Sequence, residues 1–343
     1  MIWNQKILIT GGLGFIGSHI ASELLKYNNT VAIIDDLSNS YKKTLMSIKN
    51  ASNSRDNQLY FYNVNIERES EIEKIFIEHK FDYLIHLAGS KSVTESVNNP
   101  SKYYKNNLVN SFNLLKISKK FKLKNFVFSS SCAVYDLPMD CPVKEDSQAS
   151  ISSSPYGRTK LFFEQMLRDF HMAYPKLNVV VLRYFNPAGA DPSGMLGENP
   201  KQKYPSNLVP YIAKKSLEEI PKVTLHGNDF DTKDGTGVRD YIHINDLALG
   251  HIAALSLLKD SDSIFEVINL GSGYGSSVLD VVKNYEEVSG KKIQTFFKGR
   301  RPGDFAAAFA NINYAKDRLK WEPKYNLRDI CKDSWMWINK SER

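Results

Sequence analysis

A short apolar run that stops at a set of glycines and continues as a helix is the feature that most constrains the fold of this chain. Residues 6–10 (KILIT) form the apolar run, and residues 11–17 (GGLGFIG) contain glycines at the spacing G-x-x-G-x-x-G. Residues 15–27 have the apolar spacing of a helix, and residues 30–35 form a second short apolar run. This order predicts strand, tight turn, helix and strand, which is the first unit of a parallel sheet.

The same alternation continues through the first half of the chain. Apolar runs at 59–63, 83–87, 125–129 and 179–182 predict strands, and the segments 67–80, 101–120 and 155–174 predict helices. Short unbroken apolar strands that alternate with longer helices are typical of a sheet covered on both faces. The sequence therefore predicts an α/β fold with a doubly wound parallel sheet, the Rossmann arrangement.

The regular pattern ends after residue 186. Prolines crowd the stretch from 187 to 221, which predicts that it is mostly loop. We therefore expect a Rossmann domain over residues 1–186 and a smaller mixed α/β domain over residues 187–343, with some segments returning to the first domain. Loops held over the carboxyl ends of parallel strands usually carry specificity, so the second domain is expected mainly to bind substrate.

The composition limits the classes of function. The 343 residues are 42% hydrophobic and 24% charged, which excludes a disordered, collagen-like or coiled-coil chain. No run approaches the ~18 apolar residues of a membrane span, and residues 1–6 lack the pattern of a signal peptide. Three cysteines without a C-x-x-C pair predict reduced thiols, so we expect a cytoplasmic protein. A net charge of +7 suggests an anionic ligand only weakly, because a lysine-rich solvated surface explains it better.

The glycine turn and the acid that follows it predict a dinucleotide cofactor. Gly11, Gly14 and Gly17 leave room for the turn, for a pyrophosphate close to the backbone and for the packing of a helix whose N-terminus binds phosphate. Asp35 closes the second strand 18 residues after Gly17, where a carboxylate can accept both hydroxyls of a ribose. No arginine directly follows Asp35, which favours NAD over NADP. The alternative is a tight turn in an unrelated sheet protein, and the strand, helix and acid together argue against it.

A tyrosine and a lysine four residues apart, with a serine at a strand end, predict a proton-transfer group. Tyr156 and Lys160 lie one helical turn apart on one face of the predicted helix. A tyrosine hydroxyl titrates near about 10, and a neighbouring ammonium and a cationic nicotinamide ring both favour its phenolate form. Ser131 ends the fifth strand, where its hydroxyl can relay a proton between a sugar and Tyr156. Y-x-x-x-K also arises by chance, and Tyr156 is then only a half-buried residue at a helix start.

Other chemistries find less support in the sequence. The histidines never form H-x-x-x-H and the cysteines have no metal-ligand spacing, so no metal site is expected. G-x-S-x-G, the nucleophile motif of many hydrolases, is absent. The segments 300–304 (RRPGD) and 237–241 (GVRDY) are candidate diphosphate grips, because guanidinium groups match phosphate oxygens. Surface arginines paired with the neighbouring aspartates are an equally good interpretation.

Five motifs together give the chain a resemblance to a known family. They are 10–17 (TGGLGFIG), 129–131 (SSS), 154–160 (SPYGRTK), 182–187 (LRYFNP) and 235–243 (GTGVRDYIH). Over nearly its full length the chain resembles the UDP-glucose 4-epimerases of the extended short-chain dehydrogenase/reductase family. The later motifs are much more specific than the glycine turn.

The resemblance implies an activity and its partners. NAD is held tightly and takes a hydride from C4 of the hexose of a UDP-sugar, while Tyr156 removes the proton from O4. The 4-keto sugar turns over in the pocket and the hydride returns to the opposite face, so C4 is inverted without net oxidation. The partner is then a UDP-sugar rather than a nucleic acid or a membrane. Two copies are expected to pair through the helices at 101–120 and 155–174 as a homodimer.

The same resemblance assigns roles to individual residues. The implied catalytic residues are Ser131, Tyr156 and Lys160. The residues implied to contact NAD are Gly11, Gly14, Phe15, Ile16, Gly17, Asp35, Asp36, Leu37, Ser38, Asn39, Ser40, Asn65, Ile66, Leu87, Ala88, Gly89, Ser90, Lys91, Asn106, Tyr156, Lys160 and Phe185. The residues implied to contact the UDP-sugar are Lys91, Ser131, Tyr156, Asn186, Asn207, Leu208, Thr224, Leu225, His226, Arg239, Arg301, Asp304 and Ala308.

The chain departs from the family pattern at several positions. Asn65 replaces the usual acid near the adenine, Asp36 stands where asparagine is common, and Asp136 replaces a glycine. Counted without gaps from residues 301–304, Ala308 occupies the pocket position that is bulky in hexose-only epimerases. A small residue there implies room for a 2-acetamido group, so UDP-GlcNAc and UDP-GalNAc are further candidate substrates.

Two alternatives remain open. A nucleotide-sugar 4,6-dehydratase or a uronate decarboxylase shares the fold and the roles of Tyr156 and Lys160. Both resemblances place acids just after Ser131, where this chain has Cys132 and Ala133, and dehydration without an acid lacks its catalyst. The other alternative is a catalytically silent NAD-binding module, against which the intact Ser131, Tyr156 and Lys160 argue.

Overall fold

The computed structural model describes residues 2–55, 57–136, 140–150, 152–198, 205, 207–301 and 303–341. The strands are β1 (Lys6–Thr10), β2 (Thr30–Ile34), β3 (Leu59–Tyr62), β4 (Tyr83–His86), β5 (Asn125–Ser131), β6 (Asn178–Tyr184), β7 (Asn186–Ala188), β8 (Lys222–His226), β9 (Val238–Arg239), β10 (Tyr241–His243), β11 (Phe265–Leu270), β12 (Ser276–Ser277), β13 (Gln294–Lys298) and β14 (Ala307–Ala308). The helices are α1 (Phe15–Lys26), α2 (Thr44–Ser52), α3 (Glu69–His79), α4 (Val93–Asn98), α5 (Pro100–Tyr103), α6 (Asn110–Lys120), α7 (Pro155–Ala173), α8 (Leu208–Lys215), α9 (Ile244–Lys259), α10 (Val278–Ser289), α11 (Asn313–Leu319) and α12 (Leu327–Ser341). A π-helical segment (Tyr104–Val109) and a short 3-10 turn (Cys132–Val134) complete the regular elements of the described residues.

A seven-stranded sheet in the order β11-β6-β5-β4-β1-β2-β3 forms the centre of the fold. Every pairing in it is parallel, and Leu8 of β1, for example, lies opposite Ala32 of β2 and Leu84 of β4. The predicted doubly wound parallel sheet is therefore confirmed. Because the strands are parallel, all their carboxyl ends lie at one edge, and the loops that follow them meet there.

Alternate residues of each central strand enter two different cores, so both faces of the sheet are buried. On β1, Ile7 and Ile9 pack into a core that also contains Leu24 of α1 and Leu247 of α9. Leu8 packs into the other core, together with residues of α3, α6 and α7. Burial on both faces explains why these strands are continuous apolar runs without polar alternation.

A smaller assembly of short sheets and helices carries most of the second half of the chain. Its sheets have the orders β10-β7, β12-β9-β14 and β13-β8, and helices α8, α10 and α12 enclose a third core. Within the stretch 187–221, which is expected to be mostly loop, residues Leu208–Lys215 form the helix α8. Pro210 lies in the first turn of α8, where the missing N–H has no helical partner to lose, so the proline does not prevent the helix.

Two elements from the second half of the chain return to the first. Strand β11 pairs with β6, where Val267 lies opposite Val181, and thereby forms an edge of the central sheet. Helix α9 packs against α1 on one face of that sheet. The two halves of the sequence are therefore interleaved in space.

The helix predicted over residues 101–120 is not a continuous α-helix. It divides into α5, the π-helical segment Tyr104–Val109, and α6. Such segments widen one turn of a helix and occur frequently at functional sites. Of the helices in the described ranges, none is long and apolar enough to cross a membrane.

Candidate active site

The end of β5 and the first turns of α7 bring together the three predicted proton-transfer residues. Ser131 is the last residue of β5, and Tyr156 and Lys160 lie one turn apart at the start of α7. The ammonium of Lys160 donates to the carbonyl oxygen of Ser129 at 2.7 Å and lies 5.9 Å from the ring centre of Tyr156. The predicted positions of Ser131 at the end of the fifth strand and of Tyr156 and Lys160 one turn apart agree with this arrangement.

The start of α7 is fixed by its own sequence. The side chain of Ser154 caps the helix by accepting from the backbone N–H of Gly157 at 3.1 Å, and Pro155 occupies the first turn. A Cβ at Gly157 would lie 2.2 Å from the carbonyl oxygen of Ala133. Only glycine therefore lets α7 approach the segment after Ser131 this closely, and this approach places Tyr156 beside that serine.

Burial dominates the titration of both central groups. It raises the pKa of Tyr156 to about 12, although the hydroxyl of Ser131 opposes this by favouring the phenolate. Burial also lowers the pKa of Lys160 to about 8, opposed by the carboxylate of Glu164. The prediction concerns the ammonium of Lys160 and a cationic nicotinamide ring acting together on Tyr156, whereas in the protein by itself desolvation of the hydroxyl penalises the phenolate most strongly.

The glycine turn after β1 has the geometry of a phosphate cradle. Gly11 has a φ of +70°, and a Cβ at this residue would lie 2.9 Å from the backbone nitrogen of Ala88. A Cβ at Gly17 would lie 2.5 Å from the carbonyl oxygen of Gly11. Helix α1 begins directly after Gly14, and among the described residues no side chain caps it and no acid occupies its first turn. The N–H groups of that turn therefore fit an anionic group such as a pyrophosphate.

Asp35 lies directly after β2 with its carboxylate buried and fixed. It accepts hydrogen bonds from the backbone N–H groups of Leu13 and Leu37, both at 3.0 Å, and from the hydroxyl of Ser40 at 2.6 Å. The contacts with Leu37 and Ser40 wrap residues 36–40 around the end of the strand, and the contact with Leu13 ties Asp35 to the glycine turn. Carboxylate oxygens accept several hydrogen bonds each, so Asp35 can still receive the hydroxyls of a ribose.

Asn65 and Asp36, two of the positions at which the chain departs from the family pattern, contact each other. The side-chain amide of Asn65 donates to the carboxylate of Asp36 at 2.6 Å. The negative charge of the pair is therefore on Asp36, beside Asp35. Two adjacent carboxylates disfavour the phosphate of NADP, in agreement with the prediction of NAD.

The loop after β4 packs at the same edge and is tied to the π-helical segment. The Asn107 side chain accepts from the backbone N–H of Ser90 at 2.7 Å and donates to its carbonyl oxygen at 2.9 Å. The Asn106 side chain donates to the hydroxyl of Ser90 at 3.0 Å. The predicted cofactor residues 87–91 and Asn106 are thus brought together, and Ile66 and Phe185 are buried.

Arg239 is the centre of a second group of predicted residues. Its guanidinium donates to the carbonyl oxygens of Val238 and Phe305, at 2.8 and 3.0 Å, and lies 4.2 Å from the ring centre of Phe305. Asp304 lies 3.9 Å from Arg239, and the register of β9 and β14 places Ala308 opposite Arg239. Burial lowers the pKa of Arg239. Arg239, Asp304 and Ala308 therefore form one group.

The neighbouring arginines have acidic partners. Arg301 pairs with Asp304 at 3.0 Å, and Arg300 pairs with Asp229 at 2.8 Å. The interpretation as a surface arginine paired with the neighbouring aspartate fits Arg301, whereas the partner of Arg300 comes from a distant part of the chain. Arg301 also adjoins the group around Arg239 through Asp304. Pro302 of the motif lies outside the described residues.

The remaining predicted sugar contacts lie on three separate elements. Asn186 begins β7, Asn207 is the N-cap residue of α8 and Leu208 begins that helix. Residues 224–226 lie on β8, which pairs with β13. The imidazole of His226 lies 3.3 Å from the carbonyl oxygen of Gly299, next to the arginines.

Lys91 has a different partner from the one expected. Its ammonium forms an ion pair with Glu198 at 3.1 Å, between the loop after β4 and the second half of the chain. A predicted contact of Lys91 with a ligand therefore competes with this ion pair. Among the described residues, no cluster of histidine, cysteine, aspartate and glutamate side chains could hold a metal ion.

Two buried residues at the site were not predicted from the sequence. Asn107 directly follows the predicted Asn106, and this pair of asparagines is the sequence feature that could have indicated it. Glu164 lies four residues after Lys160, on the same face of α7. This spacing could have indicated that the two side chains interact. Glu164 accepts a hydrogen bond from the hydroxyl of Ser130 and binds Arg183 through both carboxylate oxygens.

The doubly wound sheet, the glycine turn with Asp35, and the group of Ser131, Tyr156 and Lys160 are together typical of a short-chain dehydrogenase/reductase. The family model of the NAD dependent epimerase/dehydratase family matches residues 7–271 of the chain. The chain belongs to this family, and its relatives confirm the resemblance to UDP-glucose 4-epimerases.

Three comparisons illustrate the similarity. The UDP-glucose 4-epimerase of Bacillus subtilis is 45% identical over 333 residues, which are 97% of this chain and 96% of the relative. The crystal structure of the UDP-glucose 4-epimerase from Bifidobacterium longum, in complex with NAD+ and UDP, superposes with a TM-score of 0.93 at 42% identity, covering 98% of this chain and 99% of that chain. The UDP-Glc/GlcNAc 4-epimerase from Campylobacter jejuni superposes with a TM-score of 0.83 at 35% identity, covering 98% and 99%.

Proposed function

We propose that this chain is an NAD-dependent epimerase that inverts C4 of a UDP-hexose, UDP-glucose or UDP-galactose, through a 4-keto intermediate. The observation that carries the proposal is the position of Ser131, Tyr156 and Lys160 at the carboxyl edge of the sheet that also holds the glycine turn. The Bifidobacterium longum relative was crystallised with NAD+ and UDP, which supports the same ligands here.

The first half of the chain, residues 1–186, would hold the cofactor. Gly11 and Gly14 would leave room for the pyrophosphate, the free N–H groups at the start of α1 would donate to it, and Asp35 would accept hydrogen bonds from the hydroxyls of a ribose. Bound NAD supplies a nicotinamide ring that takes up a hydride from C4 of the sugar and gives it back. Asp36 and the loop after β4 complete the surroundings of the cofactor.

Tyr156 is the proton acceptor for the O4 hydroxyl of the sugar. Because burial raises its pKa to about 12, the hydroxyl stays protonated near neutral pH in the protein alone. The ammonium of Lys160, together with the positive charge that oxidised NAD would supply when bound, would favour the phenolate and let Tyr156 act as the base. Ser131 stands beside Tyr156 and relays the proton between O4 and the phenolate. The Tyr156 hydroxyl returns the proton to O4 when the C4–H bond is formed again.

Inversion requires that the nucleotide stays bound while the sugar turns over. Arg239 and Arg301 would hold the diphosphate, because guanidinium groups match phosphate oxygens, and residues 224–226 would contact the nucleotide sugar. In the free protein Arg301 is paired with Asp304, so the diphosphate would compete with that carboxylate. We propose that residues 187–343 mainly anchor the nucleotide sugar in this way.

The experiment that tests the function is an incubation of the purified chain with UDP-galactose, first without and then with added NAD, followed by NMR. We expect conversion to UDP-glucose, and we expect the Tyr156→Phe variant to lose it while still binding NAD. Conversion without added NAD shows that the cofactor is purified with the protein. If UDP-galactose is not converted even with NAD present, the epimerase proposal is contradicted and a silent NAD-binding module takes its place.

Ala308 supports a second activity, the 4-epimerisation of UDP-GlcNAc and UDP-GalNAc. Its side chain is small and buried, and it lies opposite Arg239, next to the proposed diphosphate grip. The Campylobacter jejuni relative is a UDP-Glc/GlcNAc 4-epimerase, which favours the same breadth here. The same NMR assay with UDP-GalNAc decides: conversion supports a pocket with room for the acetamido group, and turnover of UDP-galactose alone contradicts it.

The position after Ser131 argues against a 4,6-dehydratase or a decarboxylase. Cys132 occupies it, and burial raises the pKa of its thiol to about 12, so this group is a poor acid for expelling a 6-hydroxyl. Ala133 next to it cannot donate a proton. A 4-keto-6-deoxy product in the NMR assay would contradict this conclusion.

We also propose a homodimer, formed through the helices next to the π-helical segment. Val97 of α4, Val109 of the π-helical segment and Phe162 of α7 are 60%, 52% and 42% exposed. Both α4 and the π-helical segment pack against α7, so these side chains lie on adjoining elements. A second copy of the chain would cover this apolar face. Light scattering should give the mass of a dimer for the parent and a monomer for Phe162→Glu; a monomeric parent contradicts the proposal.

The cysteines support a reducing compartment, and we propose the cytoplasm. Cys132, Cys141 and Cys331 all lie in the described ranges and are free thiols. Cell fractionation of a tagged protein tests the location.

A further inference from the structure

Asp240 directly follows Arg239 in the chain, and its carboxylate is fully buried rather than paired at the surface. The Oδ1 atom accepts from the backbone N–H and the hydroxyl of Ser272, at 2.6 and 2.7 Å. The Oδ2 atom accepts from the backbone N–H groups of Gly273 and Ala310, both at 3.1 Å. Four donors therefore satisfy this one buried carboxylate.

The four donors come from two separate parts of the fold. Ser272 and Gly273 lie in the loop after β11, the edge strand of the central sheet. Ala310 lies just after β14, which pairs with β9, the strand that ends at Arg239. The carboxylate of Asp240 therefore ties the end of the central sheet to the small sheet that carries Arg239.

The backbone of Asp240 contacts two further residues that are predicted to bind the sugar. Its N–H donates to the carbonyl oxygen of Ala308 at 3.0 Å, and its carbonyl oxygen accepts from the N–H of Asn186 at 3.0 Å. Arg239 is joined to it by a peptide bond. Three residues assigned to the UDP-sugar are therefore held directly by Asp240.

The loop after β11 is adapted to this carboxylate. A Cβ at Gly271 would lie 2.3 Å from the Oδ2 atom of Asp240 and 2.8 Å from the Cβ of Ala310. Only glycine therefore lets the loop close around the side chain. Burial raises the pKa of Asp240, and the hydrogen bonds that it accepts oppose this by stabilising the ionised form.

We propose that Asp240 is a positioning residue, which fixes the residues that hold the UDP-sugar relative to the central sheet and so sets the affinity for the nucleotide. The inference rests on the proposed function, because it assigns the diphosphate to the group around Arg239. Since its carboxylate is buried and occupied by four donors, Asp240 acts through these neighbours and not by contact with the ligand.

The test compares full-length variants by two independent readouts, the Kd for UDP from calorimetry and the Kd for NADH from a fluorescence titration. Asp240→Asn replaces one acceptor oxygen with an NH2 group that meets the N–H donors. We expect its Kd for UDP to be about tenfold higher and its Kd for NADH to stay within about twofold of the parent.

Two further variants reach the same carboxylate by other routes. Gly271→Ala displaces the carboxylate without removing its charge, and it should also raise the Kd for UDP. Ser272→Ala removes only the hydroxyl donor, so it perturbs the fold least, and it should raise the Kd for UDP about twofold. If Asp240→Asn does not fold, these two variants decide by the same comparison.

A matched control separates positioning from a general loss of stability. Asp246 of α9 is also fully buried, and it accepts from the backbone N–H groups of Lys324 and Tyr325, both at 3.0 Å. These donors lie just before α12 and not in the group around Arg239. Asp246→Asn should lower the melting temperature without changing the Kd for UDP.

The positioning role is overturned if the Asp240 variant has a lower melting temperature but the parent's Kd for UDP. It is also overturned if UDP and NADH binding weaken equally, or if Asp246→Asn weakens UDP binding as much as Asp240→Asn does. A parent that does not bind UDP contradicts both this inference and the proposed function. A parent that binds UDP without converting UDP-galactose contradicts the proposed function alone, and the Kd for UDP still decides the role of Asp240.

Discussion

Glu164 and Arg183 form a buried ion pair one helical turn beyond Lys160, with distances of 2.7 and 3.2 Å between the guanidinium nitrogens and the two carboxylate oxygens. Their side chains are only 3% and 8% exposed. Glu164 also accepts from the hydroxyl of Ser130, the neighbour of Ser131, and its carboxylate raises the pKa of Lys160 against the effect of burial. The pair therefore connects the end of β5, the middle of α7 and β6.

Removing the charge of Glu164 is expected to destabilise the fold strongly. Glu164→Gln leaves the Arg183 guanidinium buried without its counter-ion, which typically costs about 3 kcal/mol or more of the free energy of unfolding. Urea denaturation measures the loss. Glu266→Gln is the control, because its partner Arg318 is 37% exposed, and a pair of that kind contributes about 1 kcal/mol or less. Equal losses in the two variants would contradict the special importance of the buried pair.

The glycine turn offers a test that separates backbone strain from close contact. Gly11 and Gly290 both have a φ of +70°, but their surroundings differ. A Cβ at Gly11 would lie 2.9 Å from the backbone nitrogen of Ala88, whereas nothing lies within 4 Å of a Cβ at Gly290. Gly290→Ala should cost about 1 kcal/mol of stability through strain alone and should leave NAD binding unchanged. Gly11→Ala should cost more stability than Gly290→Ala, and it should also weaken cofactor binding, which a fluorescence titration with NADH measures. Unchanged binding in Gly11→Ala would contradict the cradle.

Acid is expected to destabilise the protein through its buried histidines. Burial lowers the pKa of His19 and His251 to about 4, whereas an unfolded histidine titrates near about 6.5. Between these values the unfolded chain binds more protons, so the stability present above about pH 6.5 is lost as the pH falls toward about 4. Each histidine contributes a slope of at most about 1.4 kcal/mol per pH unit.

His251 allows this pH dependence to be assigned. Its imidazole contacts the carbonyl oxygen of Leu247 at 2.8 Å and the hydroxyl of Tyr184, and a glutamine can make comparable contacts without titrating. Urea denaturation at pH 7, 6 and 5 should therefore show a smaller slope for His251→Gln than for the parent. An unchanged slope in His251→Gln would count against the assignment.

Substrate breadth is expected to depend on the size of residue 308. Ala308→Tyr should abolish turnover of UDP-GalNAc and retain that of UDP-galactose, because the larger side chain fills the space proposed for the acetamido group. Comparing kcat/KM for the two sugars measures the effect. If both activities fall equally, Ala308 does not face the C2 substituent of the sugar.

The central sheet could be predicted from the sequence because the apolar runs and their alternation with helices along the chain indicate the same fold. Strand β1 has the predicted bounds, and the continuous apolar runs indicated a sheet buried on both faces. The π-helical segment could not be predicted, because residues 101–120 have the apolar spacing of an ordinary helix and the contacts of Asn106 and Asn107 with Ser90 are made to a separate loop. The strand β11 was not predicted either, since its partner β6 is about 80 residues away in the sequence and no local pattern specifies such a pairing.

The residue types of the candidate site could be predicted from the sequence, but the pKa shifts and the ion-pair partners of these residues could not. The spacing of Tyr156 and Lys160 places both on one face of α7, as expected. The pKa of Tyr156 depends on how deeply α7 packs against β5, which a sequence motif does not specify. The partners of Lys91 and Arg300, Glu198 and Asp229, likewise come from distant parts of the chain.

The pairing of β11 with β6 also constrains how the chain is made and how it can be divided. During synthesis on a ribosome, β6 emerges long before β11, so its outer edge stays unpaired until about Leu270 has been translated. An exposed edge of this kind recruits other strands, and a nascent chain in this interval is open to aggregation. A fragment that ends at residue 186 carries the whole glycine turn, yet it would keep that open edge permanently. Genetic division of this protein into separately expressed halves should therefore fail unless residues 265–270 stay with the first half.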